Sequence, residues 1–90
     1  MSLKIAVPAS IQSIEDQFVV ESRNTSLICN VAGTPQPTVF WINVDSGQRT
    51  NSSVLKFTNV NRNEAGEYRC EANNDCGSAV EAVNVTVQCE

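Results

Sequence analysis

The stretch LKFTNVNRNEAGEYRCEANNDCGSA, Leu55–Ala79, decides how the rest of the chain is read. From Gly66 to Asn73 its side chains alternate, with Tyr68, Cys70 and Ala72 on one side and Glu67, Arg69 and Glu71 on the other. A period of two with one apolar face is a half-buried strand. Val54 to Val60 is a second strand that turns Leu55 and Phe57 inward, and NVNRNEAG between the two is a corner. NNDCGS, with Gly77 suited to a positive φ, is a hairpin turn. Cys70 and Cys76 are spaced C-x5-C, yet one sits on the apolar face of a strand and the other at a loop tip, so they have unrelated roles.

The same alternation continues on both sides of this stretch. Ala79 to Val87 places Val83, Val85 and Val87 inward. Thr25 to Val31 sets Leu27, Cys29 and Val31 against Ser26, Ile28 and Asn30. AGTPQPT then breaks the chain, Gly33, Pro35 and Pro37 setting a loop. Thr38 to Asn43 resumes with Val39 and Trp41 on one face and Phe40 and Ile42 on the other. VDSGQRTNSS is polar and turn-rich, while Ile11, Ile14 and Val19 edge the sheets. About seven short strands with a turn every ~8–12 residues and no helical period predict an all-β antiparallel sandwich.

Length and composition bound the function. Ninety residues make one domain, which buries roughly 60–65% of its unfolded surface and gains from a crosslink. A net charge of −4 with six scattered basic residues argues against nucleic acid or anionic lipid as a partner. No apolar run approaches the ~20 residues of a membrane span, so no direct membrane insertion is expected. The chain has no histidine. This removes the commonest general base and the usual partner of a catalytic Ser or Cys, and no enzyme or cofactor is expected. Met1-Ser2-Leu3 looks like an expression leader, with residues 4–90 a single domain excised from a larger protein.

Cys29, Trp41 and Cys70 all fall on inward strand positions, and Tyr68 precedes Cys70 by two residues. With VVESRNTSLICNVAGTPQPTVFW (Val19–Trp41) and the opening stretch, this set resembles an immunoglobulin superfamily domain of the I-set or the related C2-type, over most of the chain. The resemblance implies a two-sheet Greek-key sandwich with a Cys29–Cys70 disulfide between the sheets. It also implies Trp41 packed beside the bridge, Tyr68 as a tyrosine corner, and Leu27, Leu55 and Phe57 in the core. By the chain-entropy model, closing that loop stabilises by about 4 kcal/mol. Ser22 stands where the family usually has Gly, and Glu64 where it usually has Asp. The segment from Ile42 to Ser53 is short, leaving no room for both a full C′ and a full D strand.

Several features are candidates for function. Cys76 at the hairpin tip and Cys89 beyond the last strand are about 40 Å apart along thirteen residues of strand, too far to bridge. Cys76 is a tolerated free thiol, a disulfide-linked contact to a neighbouring domain or second chain, or a redox site, the last disfavoured by Asp75. Cys89 is placed to bridge to a next domain or to be left odd by truncation. No other Cys or His lies near the tip to make a metal site. Asn24, Asn51 and Asn84 open N-x-[S/T] sequons and are glycosylation candidates in an extracellular chain. Phe40 and Ile42 face outward and either seed a binding patch or are covered by Arg69 or loops. Asp45, with Ser46, is either an Asx-type turn or an acidic contact like that offered to integrins by some relatives. The resemblance thus implies a protein–protein interaction or spacer module of a cell-surface adhesion protein or receptor, its partners proteins or neighbouring domains. The alternative is an intracellular structural domain of a muscle or cytoskeletal protein.

Overall fold

A computed structural model describes residues 5–89. The expected leader, residues 1–3, lies outside them. Nine strands run in order: β1 (Val7–Ile11), β2 (Gln17–Val20), β3 (Thr25–Ile28), β4 (Val31–Thr34), β5 (Thr38–Asn43), β6 (Arg49–Thr50), β7 (Val54–Phe57), β8 (Gly66–Asn74) and β9 (Gly77–Gln88). One layer is the five-stranded sheet β2-β9-β8-β5-β6; the other is made of the pairs β1–β4 and β3–β7. All pairings are antiparallel except β2–β9. That exception arises because the chain changes layers between Ile11 and Gln17 and joins the edge beside β9 in the same direction.

The two layers close on Val19, Leu27, Trp41, Phe57, Val60, Tyr68, Val83 and Val85, with Cys29 and Cys70 bonded at their centre. The cysteine Cα atoms are 6.4 Å apart across 41 positions of sequence. Trp41, opposite Cys70 in register, is fully buried. Its indole Nε1–H donates to the Ser53 carbonyl at 2.9 Å, and the Cys29 N–H donates to the same oxygen at 2.8 Å. Ser53 thus occupies both lone pairs of one carbonyl in tying the two layers together. The missing strand is D: among the described residues nothing lies between β6 and β7 but Asn51–Ser53, and β6, two residues long, is what remains of C′.

The strand expected over Thr25–Val31 is two strands. The Cys29 N–H makes the last rung of the β3–β7 register, to Ser53, and the Asn30 carbonyl then accepts from Gln12 N–H at 3.0 Å, so beyond Cys29 the chain changes partner and β4 pairs with β1. The loop expected at AGTPQPT accordingly begins only after Thr34. Gly77 does not take a positive φ. The Asn74 side chain holds this turn instead, its Oδ1 accepting the N–H groups of Cys76 (3.0 Å) and Gly77 (3.1 Å). What Gly77 supplies is clearance, since a Cβ there would stand 3.2 Å from Pro8 Cβ.

The corner is built as the sequence implies. A single 3₁₀ turn, Arg62–Glu64, is capped by Asn61, whose side chain accepts from Asn63 N–H while the Glu64 carboxylate accepts from Asn61 N–H. The Tyr68 hydroxyl donates to the Glu64 carbonyl at 2.6 Å, and its ring stands edge-on to Phe57 with centroids 5.4 Å apart. Glu64 in place of Asp therefore serves as the acidic half of a capping box.

Ser22 has φ +73°, which an L-residue with a Cβ adopts at a cost and glycine does not. Its N–H donates to the Val60 carbonyl at 2.7 Å, which fixes that conformation. Ser22→Gly is expected to stabilise the domain by about 0.5–1 kcal/mol, the relief of strain exceeding the added unfolded-chain entropy; urea unfolding monitored by tryptophan fluorescence measures it. Burial pushes the Tyr68 phenol up, and the Glu64 and Asp45 carboxylates push it the same way. The unfolded chain therefore ionises first, near pH 10, so stability holds below about pH 10 and falls as pH rises through the folded-state value. Tyr68 is the single tyrosine, so phenolate absorbance near 295 nm follows it alone. Its midpoint is expected above 10 when folded and near 10 in denaturant.

Candidate interaction surface

The alternation that sends Trp41, Cys70 and Val83 inward sends their neighbours out onto the far face of the five-stranded sheet. There the register aligns Phe40, Glu71 and Val80 in one row and Ile42, Arg69 and Ala82 in the next. Val80 is 52% exposed, whereas Phe40 and Ile42 are half-buried. Their cover is Arg49 of β6, whose guanidinium carbon lies 3.7 Å above the Phe40 ring and whose Nε–H donates to Asn51 Oδ1 at 3.3 Å. Arg69, considered from sequence as the cover, stands beside Ile42 in register and also faces Glu67 along its own strand at 3.6 Å. The result is a mixed patch, with Glu71 and Arg69 of β8 running between the apolar residues of β5 and β9 and the Arg49 stack holding one margin in place.

The same face carries an aromatic that the alternation did not single out. Phe18 of β2, opposite Thr86, is 69% exposed. It went unnoticed because β2 is four residues long, too short for its period to announce itself. Asn84, exposed between Ala82 and Thr86 on this face, divides Phe18 from the Phe40–Val80 rows. A glycan on Asn84 would therefore cover the Phe18 end.

The other sequons are also at the surface. Asn24 is exposed, and its Oδ1 accepts from Asn59 N–H at 2.9 Å. Asn51 is exposed beside Arg49 and Phe40. Asp45 is exposed in a turn made by Asn43, whose Oδ1 accepts the N–H groups of Asp45 and Ser46. The Asp45 carboxylate lies against Gly66, where a Cβ would come within 2.6 Å of it. It belongs to the corner under Tyr68, apart from the outer patch. Cys76 and Cys89 are free and exposed at opposite ends of β9. Among the described residues no cluster of His, Cys, Asp and Glu is arranged to hold a metal.

Asn74 is a second residue whose role the sequence showed only as a turn. Besides the two hairpin amides, its Oδ1 accepts from Ala9 N–H at 3.2 Å, and its Nδ2 donates to the carbonyls of Val7 (2.8 Å) and Pro35 (3.0 Å). One amide thus joins β1, the β4–β5 loop and the β8–β9 hairpin. Gly33, at φ +153°, leaves the space it needs, since a Cβ there would stand 2.9 Å from Asn74 Nδ2. Cys76 is carried on this pinned hairpin and not on a loose loop.

A sequence model described as an immunoglobulin domain matches residues 8–74. The chain is 35% identical over 86 residues to IgLON family member 5 of human and of mouse, covering 94% of this chain and 26% of each relative. It therefore spans about a quarter of the length of those relatives. Among solved structures it resembles DIP-gamma IG1+IG2 with a TM-score of 0.83 and 28% identity, over 92% of this chain and 49% of that one. It resembles to a similar degree a chain of the titin M10–obscurin like 1 Ig complex, with a TM-score of 0.79 and 29% identity over 93% and 97% of the two chains.

Proposed function

The chain belongs to the immunoglobulin-domain family, and from that premise we propose that it is a non-catalytic protein-interaction module of an extracellular adhesion protein or receptor. It docks through the outer face of the five-stranded sheet. The observation that carries this reading is the patch of Phe40 and Ile42 on β5 and Val80 and Ala82 on β9, aligned in two rows across β8, whose Glu71 and Arg69 lie between them, with Arg49 at the margin. Apolar side chains interleaved with an acidic and a basic one on an exposed sheet face offer a partner both burial and charge complementarity. Relatives support it: the titin and obscurin like 1 domains are seen in a complex with one another. The chain has no histidine, the commonest general base, which fits a non-catalytic reading.

The extracellular placement is supported by the Cys29–Cys70 bridge, which persists in oxidising compartments, and by three exposed sequons. The likeness to IgLON family member 5 points the same way. A glycan on Asn84 would cover Phe18 and leave the Phe40–Val80 half of the face open. The second reading, an intracellular structural domain, is favoured by the comparable likeness to the titin and obscurin like 1 complex. Exposed Cys76 and Cys89 would add a disulfide-linked contact only in the extracellular case.

Two measurements test these statements. In a screen against ectodomains, Val80→Asp is expected to weaken a captured partner at least about tenfold. Ile28→Asp, equally exposed on the opposite layer, is expected to change it less than about twofold; equal effects would overturn the docking face. Mass spectrometry of the native protein is expected to find Cys29 joined to Cys70 and a glycan on at least one of Asn24, Asn51 and Asn84. Bare asparagines with reduced cysteines would instead establish the intracellular reading.

A further inference from the structure

Loss of the D strand leaves the sandwich open along β7. This strand is bonded to β3 on one side, and among the described residues no strand lies on its other side. An edge strand turns half of its N–H and C=O groups sideways, where another chain can pair with them. Beside this edge is a cleft of about 430 Å³ whose lining includes Trp41, Leu55, Phe57 and Tyr68 together with the amides of Gln48 and Asn63. Leu55 and Phe57 face the same way, yet Phe57 is buried and Leu55 only half-buried. The Val54 N–H on this edge is already held by Ser52 Oγ at 3.1 Å, so the groups left to pair are the Val54 carbonyl and those of Lys56; together with the cleft and the incomplete cover of Leu55 they mark the space of one short strand.

We propose that this seam binds an extended peptide segment of a partner protein, which adds as a strand along Val54–Phe57. It directs one apolar side chain into the cleft and sets an acidic side chain beside Lys56. The charge preference follows from Lys56, which is exposed on β7 and outside both ion pairs formed among the described residues, Arg62–Glu21 and Arg69–Glu67. Opposite charges facing one another across paired strands stabilise the pair. The same residue disfavours a second copy of this chain as the occupant. A two-fold pairing of β7 with itself is antiparallel and brings Lys56 close to Lys56, and each copy carries a net charge of −4. This mode rests on the backbone of β7 and uses none of the outer-face patch, so the two sites are separable.

The probe is an acetylated, amidated pentapeptide with a central valine, one adjacent glutamate and threonines elsewhere, titrated to about 10 mM into the 90-residue chain and followed by amide NMR. Expected are saturable shifts confined to residues 54–57 and to the indole N–H of Trp41, the single tryptophan. Replacing glutamate by lysine in the peptide is expected to weaken binding at least about threefold, and Lys56→Glu to reverse that order. A peptide with proline for the central valine, which lacks the N–H and the ladder geometry, is expected to give no shift. Absence of saturable shifts, shifts on the outer rows around Val80, or indifference to peptide charge would each overturn the proposal. So would shifts at 54–57 that appear on concentrating the chain alone, since they would make a second copy the occupant.

Discussion

The fold depends on one junction, where the Cys29–Cys70 bridge, the Trp41 indole and the Ser53 carbonyl meet. A disulfide across 41 positions removes loop entropy from the unfolded chain worth about 4 kcal/mol. For a domain of this size that is a large share of the total stability. The bridge alone, however, fixes two points. Orientation of the layers comes from the Ser53 oxygen, which accepts from Cys29 N–H in one layer and from the Trp41 side chain in the other. Ser53 takes that position by continuing the β3–β7 register one residue past β7, directly after the short Asn51–Ser52 link from β6. The tie across the top of the sandwich and the open edge beside β7 are therefore two consequences of one short connection.

Much of this was legible in the sequence, and the reason is physical. Alternation reports which side of a strand is dry, so Leu27, Cys29, Trp41, Phe57, Tyr68 and Val83 are read as inward and lie in the core. What alternation cannot report is where backbone groups find their partners. Cys29 keeps its inward side chain and its bond on the β7 side while Asn30 turns to Gln12, and this change of partner splits one expected strand into β3 and β4 without disturbing the pattern. Gly77 was read for its dihedral freedom but serves by its size against Pro8, because the Asn74 side chain supplies the turn. Ser22 had shown itself only as a departure from the family's Gly, and its φ of +73° gives that departure a cost.

The surface patch was half legible for the same reason. Phe40 and Ile42 were visibly outward, but their companions Val80 and Ala82 come from β9, and only the β5–β8–β9 register places them in the same rows, across Glu71 and Arg69. The cation over Phe40 is likewise set by pairing: Arg49 reaches it because β6 folds back on β5, while Arg69 lies beside Ile42 and faces Glu67.

The two proposed contact surfaces differ in what they recognise. The outer face offers side chains, so its specificity resides in residues free to vary without harm to the core. The β7 edge offers mainly backbone, which any extended chain can pair, so discrimination there must come from the cleft and from Lys56. A domain that used both would hold a folded partner on its broad side and a linear segment at its seam. The second contact would also stabilise the domain itself, since a strand laid beside β7 completes the cover of Leu55 and closes the gap over Trp41 and Tyr68.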